Sequence, residues 1–437
     1  MKAYITNPES GKFFEDFKPV GDYYDAVRLI RVYKDIRYQT VQGFGGAFTE
    51  SAGYNWSLLP EEKKKDFIKA YFSEEGLAYN LGRTHINSCD FALGNYAYLK
   101  DENEPEENFN IERDEKYIIP LIKSAMKENN INLLASPWSP PAYMKSNGEM
   151  NHGGVLKKEF YKKWAEYIRK YILEYRKRGI DIKMITLQNE PAAVQSWDSC
   201  IYTAKEEGEF VADYLGPELE KNGLSHIKIY VWDHNKEILY DRAKETMSVP
   251  GADKYISGFA FHWYTGDHFE TVKATGERFS GKDLLFTEGC VEYSRFADTG
   301  EVSKAEMYAH DILGNLNAGT TGIIDWNLLL DAKGGPNHVG NFCAAPVMLT
   351  EDAKDFEKRL SYYYIGHFSK YIKAGAVRLL VSRFSDDLES TSFENPDGGL
   401  VTVILNRKDY GNAFSLNDGE KTCRFEIPAH CILTVLI

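Results

Sequence analysis

The sequence has 437 residues, is 43% hydrophobic and carries a formal net charge of −13. This length supports a large core, and an acidic chain without a basic run argues against a nucleic-acid partner. No apolar run is long enough for a membrane-spanning helix or a signal peptide. We therefore expect no stable membrane insertion and a cytoplasmic location, or secretion if a leader was removed. The six cysteines have no C-x-x-C spacing, which favours free, mostly buried thiols.

Strand-like and helix-like segments alternate through the central part of the sequence. Eight apolar segments are typical of strands that are buried on both faces, namely 41–48, 77–86, 131–138, 184–190, 227–235, 256–264, 283–289 and 322–330. Helices are predicted between most of them, over 59–73, 113–129, 156–179, 204–223 and 304–319. This alternation favours a closed (β/α)8 TIM barrel, with an open doubly wound sheet as the alternative.

Both ends of the sequence depart from this alternation. Residues 25–33 and three short segments after residue 376 read as antiparallel strands, with turn signals at 396–398 and 417–419. We predict a small β-sandwich side domain formed by both termini. Its N-terminal part covers 1–40, the barrel covers 41–368, and its C-terminal part covers 369–437.

Two glutamates occupy equivalent places in the predicted barrel. Glu190, beside Asn189, ends the fourth strand and Glu288 ends the seventh. Because catalytic groups project from the C-terminal ends of barrel strands, both carboxylates should face one pocket. Glycoside hydrolysis uses such a pair, with retention of configuration at a separation of about 5–5.5 Å and inversion at about 6.5–9.5 Å. Mutual repulsion should keep one carboxyl protonated, and we expect Arg83 to pair with the ionised one.

Two other readings of these strand ends remain open. A barrel of this kind could bind carbohydrate without catalysis. A metal-dependent hydrolase could use His85, Asp90 and His262. The sequence lacks H-E-x-x-H and phosphate-loop motifs, however, so we expect neither a metal nor a cofactor. The tryptophans at strand ends either line a sugar groove or pack in the core, namely Trp138, Trp263 and Trp326.

Several strings together resemble glycoside hydrolase family 30, the family of acid β-glucosidase (glucosylceramidase). They include "QGFGGAFTESA", "LLASPWSPPAYMKSNGEMN", "TLQNEP", "FHWY", "FTEGC" and "DWNLLLDAKGGPN". The resemblance implies a TIM barrel with a β-sandwich and a retaining mechanism. It further implies that Glu190 is the acid/base and Glu288 the nucleophile. The remaining site residues that it implies orient the nucleophile or bind the sugar, namely Arg83, Asp90, Trp138, Asn189, His262 and Tyr264.

The substrate class is the open part of the resemblance. His338 follows "GGPN" where the mammalian lysosomal relatives have a tryptophan that lines the pocket, and the nucleophile motif reads "TEGC". We expect a β-glucosidase acting on soluble glycosides, or a glucosylceramidase-like enzyme of sphingolipid metabolism. A β-xylosidase and a β-1,6-glucanase are the alternatives within the family. The sequence gives no indication of an oligomeric state.

Overall fold

The N-terminal segment supplies three strands to a sheet that the C-terminal segment completes. The computed structural model describes residues 1–296 and 298–437. The strands are β1 (Lys2–Asn7), β2 (Lys12–Asp16) and β3 (Leu29–Thr40). Strand β3 is the longest of them and leads directly into the barrel.

The central part of the chain forms a closed barrel of eight parallel strands. The strands are β4 (Gly43–Ala47), β5 (Leu81–Ile86), β6 (Asn132–Pro137), β7 (Ile182–Thr186), β8 (Lys228–Asn235), β9 (Ile256–His262), β10 (Asp283–Glu288) and, after the short β11 (Val291–Glu292), β12 (Gly322–Asn327). Neighbours in the chain are neighbours in the barrel, and β12 closes it by pairing with β4. The predicted (β/α)8 barrel is confirmed, and the open sheet is wrong.

One layer of side chains fills the barrel interior, with a residue from each of seven strands. These residues are Leu81, Leu134, Met184, Tyr230, Ala260, Leu285 and Ile324. The remaining strand, β4, contributes glycine instead. A Cβ atom on Gly45 would lie 2.1 Å from the carbonyl oxygen of Leu81. The glycine-rich sequence of β4 is therefore required by its close approach to β5.

Helices surround the barrel, and two of the predicted ones are interrupted. The helices are α1 (Glu50–Leu58), α2 (Glu61–Phe72), α3 (Glu112–Lys116), α4 (Ile118–Glu128), α5 (Tyr161–Lys177), α6 (Ala204–Phe210), a π-helical turn (Val211–Leu215), α7 (Gly216–Lys221), α8 (Leu239–Thr246), α9 (Ala252–Tyr255), α10 (Phe269–Arg278), α11 (Tyr293–Phe296), α12 (Glu301–Ala318) and α13 (Leu360–Ser369). The predicted helix 113–129 breaks at Tyr117, and the predicted helix 204–223 widens before α7. Pro120 and Pro217 lie just after these two points, and a proline offers no N–H to the preceding turn.

The C-terminal strands complete a nine-stranded side sheet. After the short β13 (Cys343–Ala344), β14 (Val347–Leu349) and β15 (Phe356–Lys358), they are β16 (Val377–Arg383), β17 (Leu388–Glu394), β18 (Leu400–Asn406), β19 (Asn412–Asn417), β20 (Thr422–Ile427) and β21 (Cys431–Leu436). The sheet order is β2-β1-β21-β18-β17-β16-β3-β19-β20. Strands β3 and β19 pair in parallel, which departs from the predicted antiparallel arrangement, and β19 is a strand that the sequence did not predict. These two strands lie far apart in the chain, so no hairpin fixes their relative direction.

The side sheet folds over into two layers. Phe17, just after β2, stacks on Phe425 of β20 with ring centroids 6.3 Å apart, although these strands lie at opposite ends of the sheet order. Strand β18 is buried on both faces, because Ile404 faces the core of the side domain while Val403 and Leu405 join the barrel's core. The exact domain limits stay predictions. Within residues 1–296 and 298–437, none of the helices combines the length and hydropathy that a bilayer crossing requires.

Candidate active site

A cavity of about 270 Å³ opens at the C-terminal ends of the barrel strands. Six of the eight predicted site residues line it, namely Asp90, Trp138, Asn189, Glu190, Tyr264 and Glu288. The other two, Arg83 and His262, are fully buried behind it. Each of these two contacts one of the glutamates directly, so the structure brings all eight residues together.

Glu288 accepts hydrogen bonds from two buried donors. Arg83 Nη1 donates to its Oε2 over 2.5 Å, and the Tyr264 hydroxyl donates to its Oε1 over 2.9 Å. The other end of the guanidinium donates to Asn189 Oδ1 at 2.8 Å and to Asp233 Oδ2 at 2.9 Å. The guanidinium carbon also lies 4.6 Å from the centroid of the Trp138 ring. Glu288 is thus held in one position beside a permanent cation.

Glu190 follows β7 with its backbone in the left-handed region, at φ 47°. Its amide donates to the carbonyl of Asp233 over 3.0 Å, which anchors this turn to the neighbouring strand. Its carboxylate lies 3.4 Å from His262 Nδ1 and 3.9 Å from His234 Nε2, and it accepts a hydrogen bond from Gln195 at 3.4 Å. The Glu190 carboxylate is therefore surrounded by two histidines and an amide, whereas the Glu288 carboxylate contacts a guanidinium.

The two glutamates face each other at short range. One carboxylate oxygen of Glu190, one of Glu288 and one ring nitrogen of His262 all lie within 4.8 Å of one another. A separation of this order fits the close pair of a retaining glycosidase, whereas an inverting pair stands about 6.5–9.5 Å apart to admit a water.

Burial and neighbouring charges shift the pKa of each site carboxyl. Burial raises the pKa of Glu288, and the charges of His262 and Arg83 only partly oppose it. Burial acts on Glu190 too, but the charge of His234 and the hydrogen bond from His262 outweigh it and lower the pKa to about 2. Burial lowers the pKa of His262, yet Glu288 and Asp233 more than compensate and raise it to about 9.

Comparison with known proteins identifies the fold and the chemistry of this cavity. The model of the glycosyl hydrolase family 30 TIM-barrel domain matches residues 41–372, and that of the family 30 β-sandwich domain matches 375–435. This chain belongs to glycoside hydrolase family 30. The predicted resemblance, the fold class and the enzyme class are confirmed, and the non-catalytic reading is not supported.

Individual relatives of this family 30 enzyme differ in substrate. It is 35% identical over 410 residues to lysosomal acid glucosylceramidase of Mus musculus, covering 89% of this chain and 79% of the mouse protein. The solved structure of SrfJ from Salmonella typhimurium is 40% identical with a TM-score of 0.97 and covers 100% of this chain and 99% of SrfJ. That of the endo-β1,6-glucanase BT3312 is 28% identical with a TM-score of 0.90, at 100% and 98% coverage. A retaining β-glycosidase that acts on a carbohydrate or glycoside fits the family.

Asp233 is the main site residue of this family 30 enzyme that sequence analysis missed. It is fully buried near the end of β8 and joins four groups, since it accepts from Arg83 and from the hydroxyls of Thr186 and Thr287 and lies 3.1 Å from His262 Nε2. Although burial raises it, the charges of Arg83 and His262 hold the pKa of Asp233 well below its usual range. The sequence signal that could have identified Asp233 is its position near the end of the fifth barrel strand, where catalytic groups are expected.

The strand-end tryptophans divide between the two readings. Trp138 and Trp326 line the cavity and stack on each other with ring centroids 5.3 Å apart. Trp263 instead packs against Tyr308, with ring centroids 4.8 Å apart, and donates to the Cys290 carbonyl. Two of the three therefore offer an aromatic surface to a ligand, and the third packs in the core.

The hypothetical metal site of His85, Asp90 and His262 is wrong, because His85 faces away from the cavity. Its Nε2 accepts from the Glu50 amide at 3.0 Å, and its Nδ1 lies 2.6 Å from the Asn87 carbonyl oxygen. Among the residues that the structure describes, the cluster of potential ligands is Glu190, His262 and Glu288. The Arg83 cation bonded to Glu288 makes that cluster a poor site for a metal ion.

Asp90 and His338 lie next to each other in the loops above the barrel. Asp90 Oδ2 accepts from Asn337 and Asn341 at 3.1 and 3.3 Å, and burial together with the charge of Glu288 raises its pKa to about 8. The His338 amide donates to the Asp90 carbonyl, and its ring Nε2 lies 3.5 Å from Asp198 Oδ2. The backbone of His338 thus contacts Asp90, which lines the cavity, while its ring faces Asp198.

Proposed function

We propose that this enzyme hydrolyses β-glucosides by double displacement, with Glu288 as the nucleophile and Glu190 as the acid/base. The observation that carries the proposal is the close approach of the two carboxylates, of which Glu288 and not Glu190 accepts hydrogen bonds from Arg83 and Tyr264. A nucleophile has to be ionised and fixed in place, and these two donors serve both needs.

Each step follows from this arrangement. A Glu288 oxygen attacks the anomeric carbon while Glu190 gives its proton to the departing glycosidic oxygen, which forms a glycosyl ester and releases the aglycone. In the second step Glu190, now ionised, takes a proton from water as the water attacks the same carbon and frees Glu288. Two displacements at one carbon retain its configuration.

The charges around the pair at pH 7 support this assignment, although the raised pKa of Glu288 and the lowered pKa of Glu190 by themselves favour an ionised Glu190. Burial lowers the pKa of His234, so this ring loses its proton below pH 7, and the positive charge of His234 that lowers the pKa of Glu190 is then absent. Arg83 stays charged at any working pH and donates to Glu288. His262 lies between the two carboxylates and acts on both. We therefore place the negative charge on Glu288 and the transferable proton on Glu190.

The rest of the cavity supports recognition of a single sugar ring. Its volume of about 270 Å³ is just below the usual range for drug-sized ligands, about 300–1,000 Å³. In this proposal Asn189 binds the sugar 2-hydroxyl, Asp90 binds other hydroxyls, and Trp138 packs against an apolar sugar face. These roles follow the family pattern, and β-glucosides agree with the relatives that act on glucosylceramide and β-1,6-glucan.

Glu288→Gly tests the nucleophile. We expect turnover of an activated aryl β-glucoside to fall by at least about 10⁴-fold, because the covalent step is lost. Azide should then fill the space and restore turnover, with an α-glucosyl azide as the product. Normal hydrolysis by this variant would refute the assignment.

Glu190→Ala tests the acid/base and serves as the matched control. Substrates with poor leaving groups need protonation, so their kcat/KM should fall by about 10²–10⁴-fold, whereas activated aryl glucosides should lose far less in the first step. Azide should here give a β-glucosyl azide, since the nucleophile is intact. Equal losses on all leaving groups would argue against the acid role.

A panel of substrates tests the sugar and the linkage. Aryl β-glucoside, xyloside, galactoside and fucoside should be compared with glucosylceramide and a β-1,6-glucan. We expect the glucoside to give the highest kcat/KM among the aryl substrates. Preference for the glucan over every aryl glycoside would favour the β-1,6-glucanase alternative, and preference for the xyloside would favour a β-xylosidase.

A further inference from the structure

Two cysteines face the active-site cavity from neighbouring short strands. Cys290 lies two residues after Glu288 and directly before β11, and Cys343 begins β13. In the ladder between β11 and β13, Glu292 is opposite Cys343 and Val291 is opposite Ala344. Cys290 and Cys343 are therefore diagonal neighbours across the ladder. Both thiols are free, and both line the cavity that holds the two glutamates.

The two thiols contact each other and the catalytic machinery. Burial raises the pKa of the Cys290 thiol, and the neighbouring Cys343 side chain adds to that rise. The Tyr264 hydroxyl, which donates to Glu288 over 2.9 Å, lies 3.4 Å from Cys290 Sγ. The thiols belong to an apolar cluster with Trp138 and Trp326. The proposed mechanism does not use these two thiols, which provide two soft sulfur donors at the edge of the sugar site.

The diagonal relation favours a bridging atom over a disulfide. Diagonal neighbours in an antiparallel ladder have Cα atoms about 7–8 Å apart, whereas a disulfide usually needs about 4.4–6.8 Å. An ion with metal–sulfur bonds of about 2.3 Å holds two sulfurs up to about 4.6 Å apart, which neighbouring thiols can reach without a covalent bond between them. Cys290 and Cys343 do not belong to the group of three potential metal ligands among the described residues, so the site rests on its two sulfurs. Such a donor set selects soft ions.

We propose that Cys290 and Cys343 form a binding site for a soft, thiophilic metal ion such as copper(I), silver(I) or mercury(II), and that the bound ion inhibits the enzyme. Binding forms two metal–sulfur bonds and releases both thiol protons to solvent. The ion lies beside the Tyr264 hydroxyl and occupies part of the cavity. It therefore competes with the sugar and disturbs the hydrogen bond that Tyr264 donates to Glu288.

Mercury(II) chloride is a suitable probe for the site. The protein is loaded with the ion and dialysed against excess 2-mercaptoethanol, which removes ions held by single thiols but not by a pair, and the retained metal is measured by elemental analysis. We expect one ion per chain in the unaltered protein and in the control Cys423→Ser, whose thiol lies in the side domain. Cys343→Val and Cys290→Ala should each retain none. Retention by either of these variants, or no retention by the unaltered protein, would overturn the site.

Activity is a second and separate readout, and it alone rests on the proposed function. Aryl β-glucoside hydrolysis by the unaltered protein should fall at least tenfold on loading and recover with a dithiol such as 2,3-dimercaptopropanol. Retention of the ion without a loss of hydrolysis would refute the inhibition. Absence of hydrolysis before loading, together with retention that depends on both cysteines, would refute the proposed function and leave the metal site standing.

Discussion

Asp233 shows how a single residue outside the cavity can control both glutamates. It holds Arg83, which donates to Glu288, and His262, which contacts Glu190. Asp233→Asn keeps the shape but removes the charge, so Arg83 and His262 lose their common anion. We expect kcat to fall by about 10–100-fold with little change in KM, the usual scale for a group that orients catalytic residues. The pKa of His262, now about 9, should fall, so the alkaline limb of the pH–rate profile should move to lower pH.

The matched control is Asp283→Asn on a neighbouring barrel strand. Asp283 begins β10 at the opposite end of the barrel, where it bonds Lys228 and Tyr230. This variant should keep both kcat and the pH–rate profile of the unaltered enzyme. A profile that stays unchanged in Asp233→Asn as well would show that Asp233 has a structural role alone.

At the scale of elements, the sequence predicted the barrel because each strand is a continuous apolar segment followed by polar residues. That pattern located Glu190 and Glu288 at strand ends, and barrel closure placed them together. Asp233 was not recognised as a site residue because "VWDHN" continues as strand through residue 235, so the aspartate reads as part of the strand. The backbone of Trp232 and Asp233 has positive φ, which turns this carboxylate inward, and residue types alone do not reveal such a reversal. The broken helices and the parallel β3–β19 pair likewise depend on tertiary packing.

At the scale of the whole molecule, a buried histidine links the barrel to the side domain. His367 on α13 contacts the hydroxyls of Thr434 and Thr6 at 2.8 and 2.9 Å, and burial lowers its pKa to about 3. The folded state keeps this ring neutral, while the unfolded chain protonates it near its ordinary pKa of about 6.5. This contribution to stability is complete above about pH 6.5. It should be lost as pH falls toward 3, at up to about 1.4 kcal/mol of unfolding free energy per pH unit.

His367→Gln isolates that contribution, because glutamine offers a donor and an acceptor without titrating in this range. Denaturant unfolding at several values between pH 4 and 7 should show a shallower dependence of the unfolding free energy on pH in the variant. Parallel dependences in the two proteins would assign the acid sensitivity to other groups.

The left-handed backbone at Glu190 also has a meaning for how such an enzyme evolves. A non-glycine residue at φ 47° stores conformational energy, of order 1–3 kcal/mol, in the turn that aims the carboxylate. Stability and catalysis therefore favour different residues at this position, since a glycine there would relieve the backbone strain but remove the acid. Laboratory selection for heat resistance alone should tend to erase this side chain, and selection for hydrolysis should keep it at the expense of robustness.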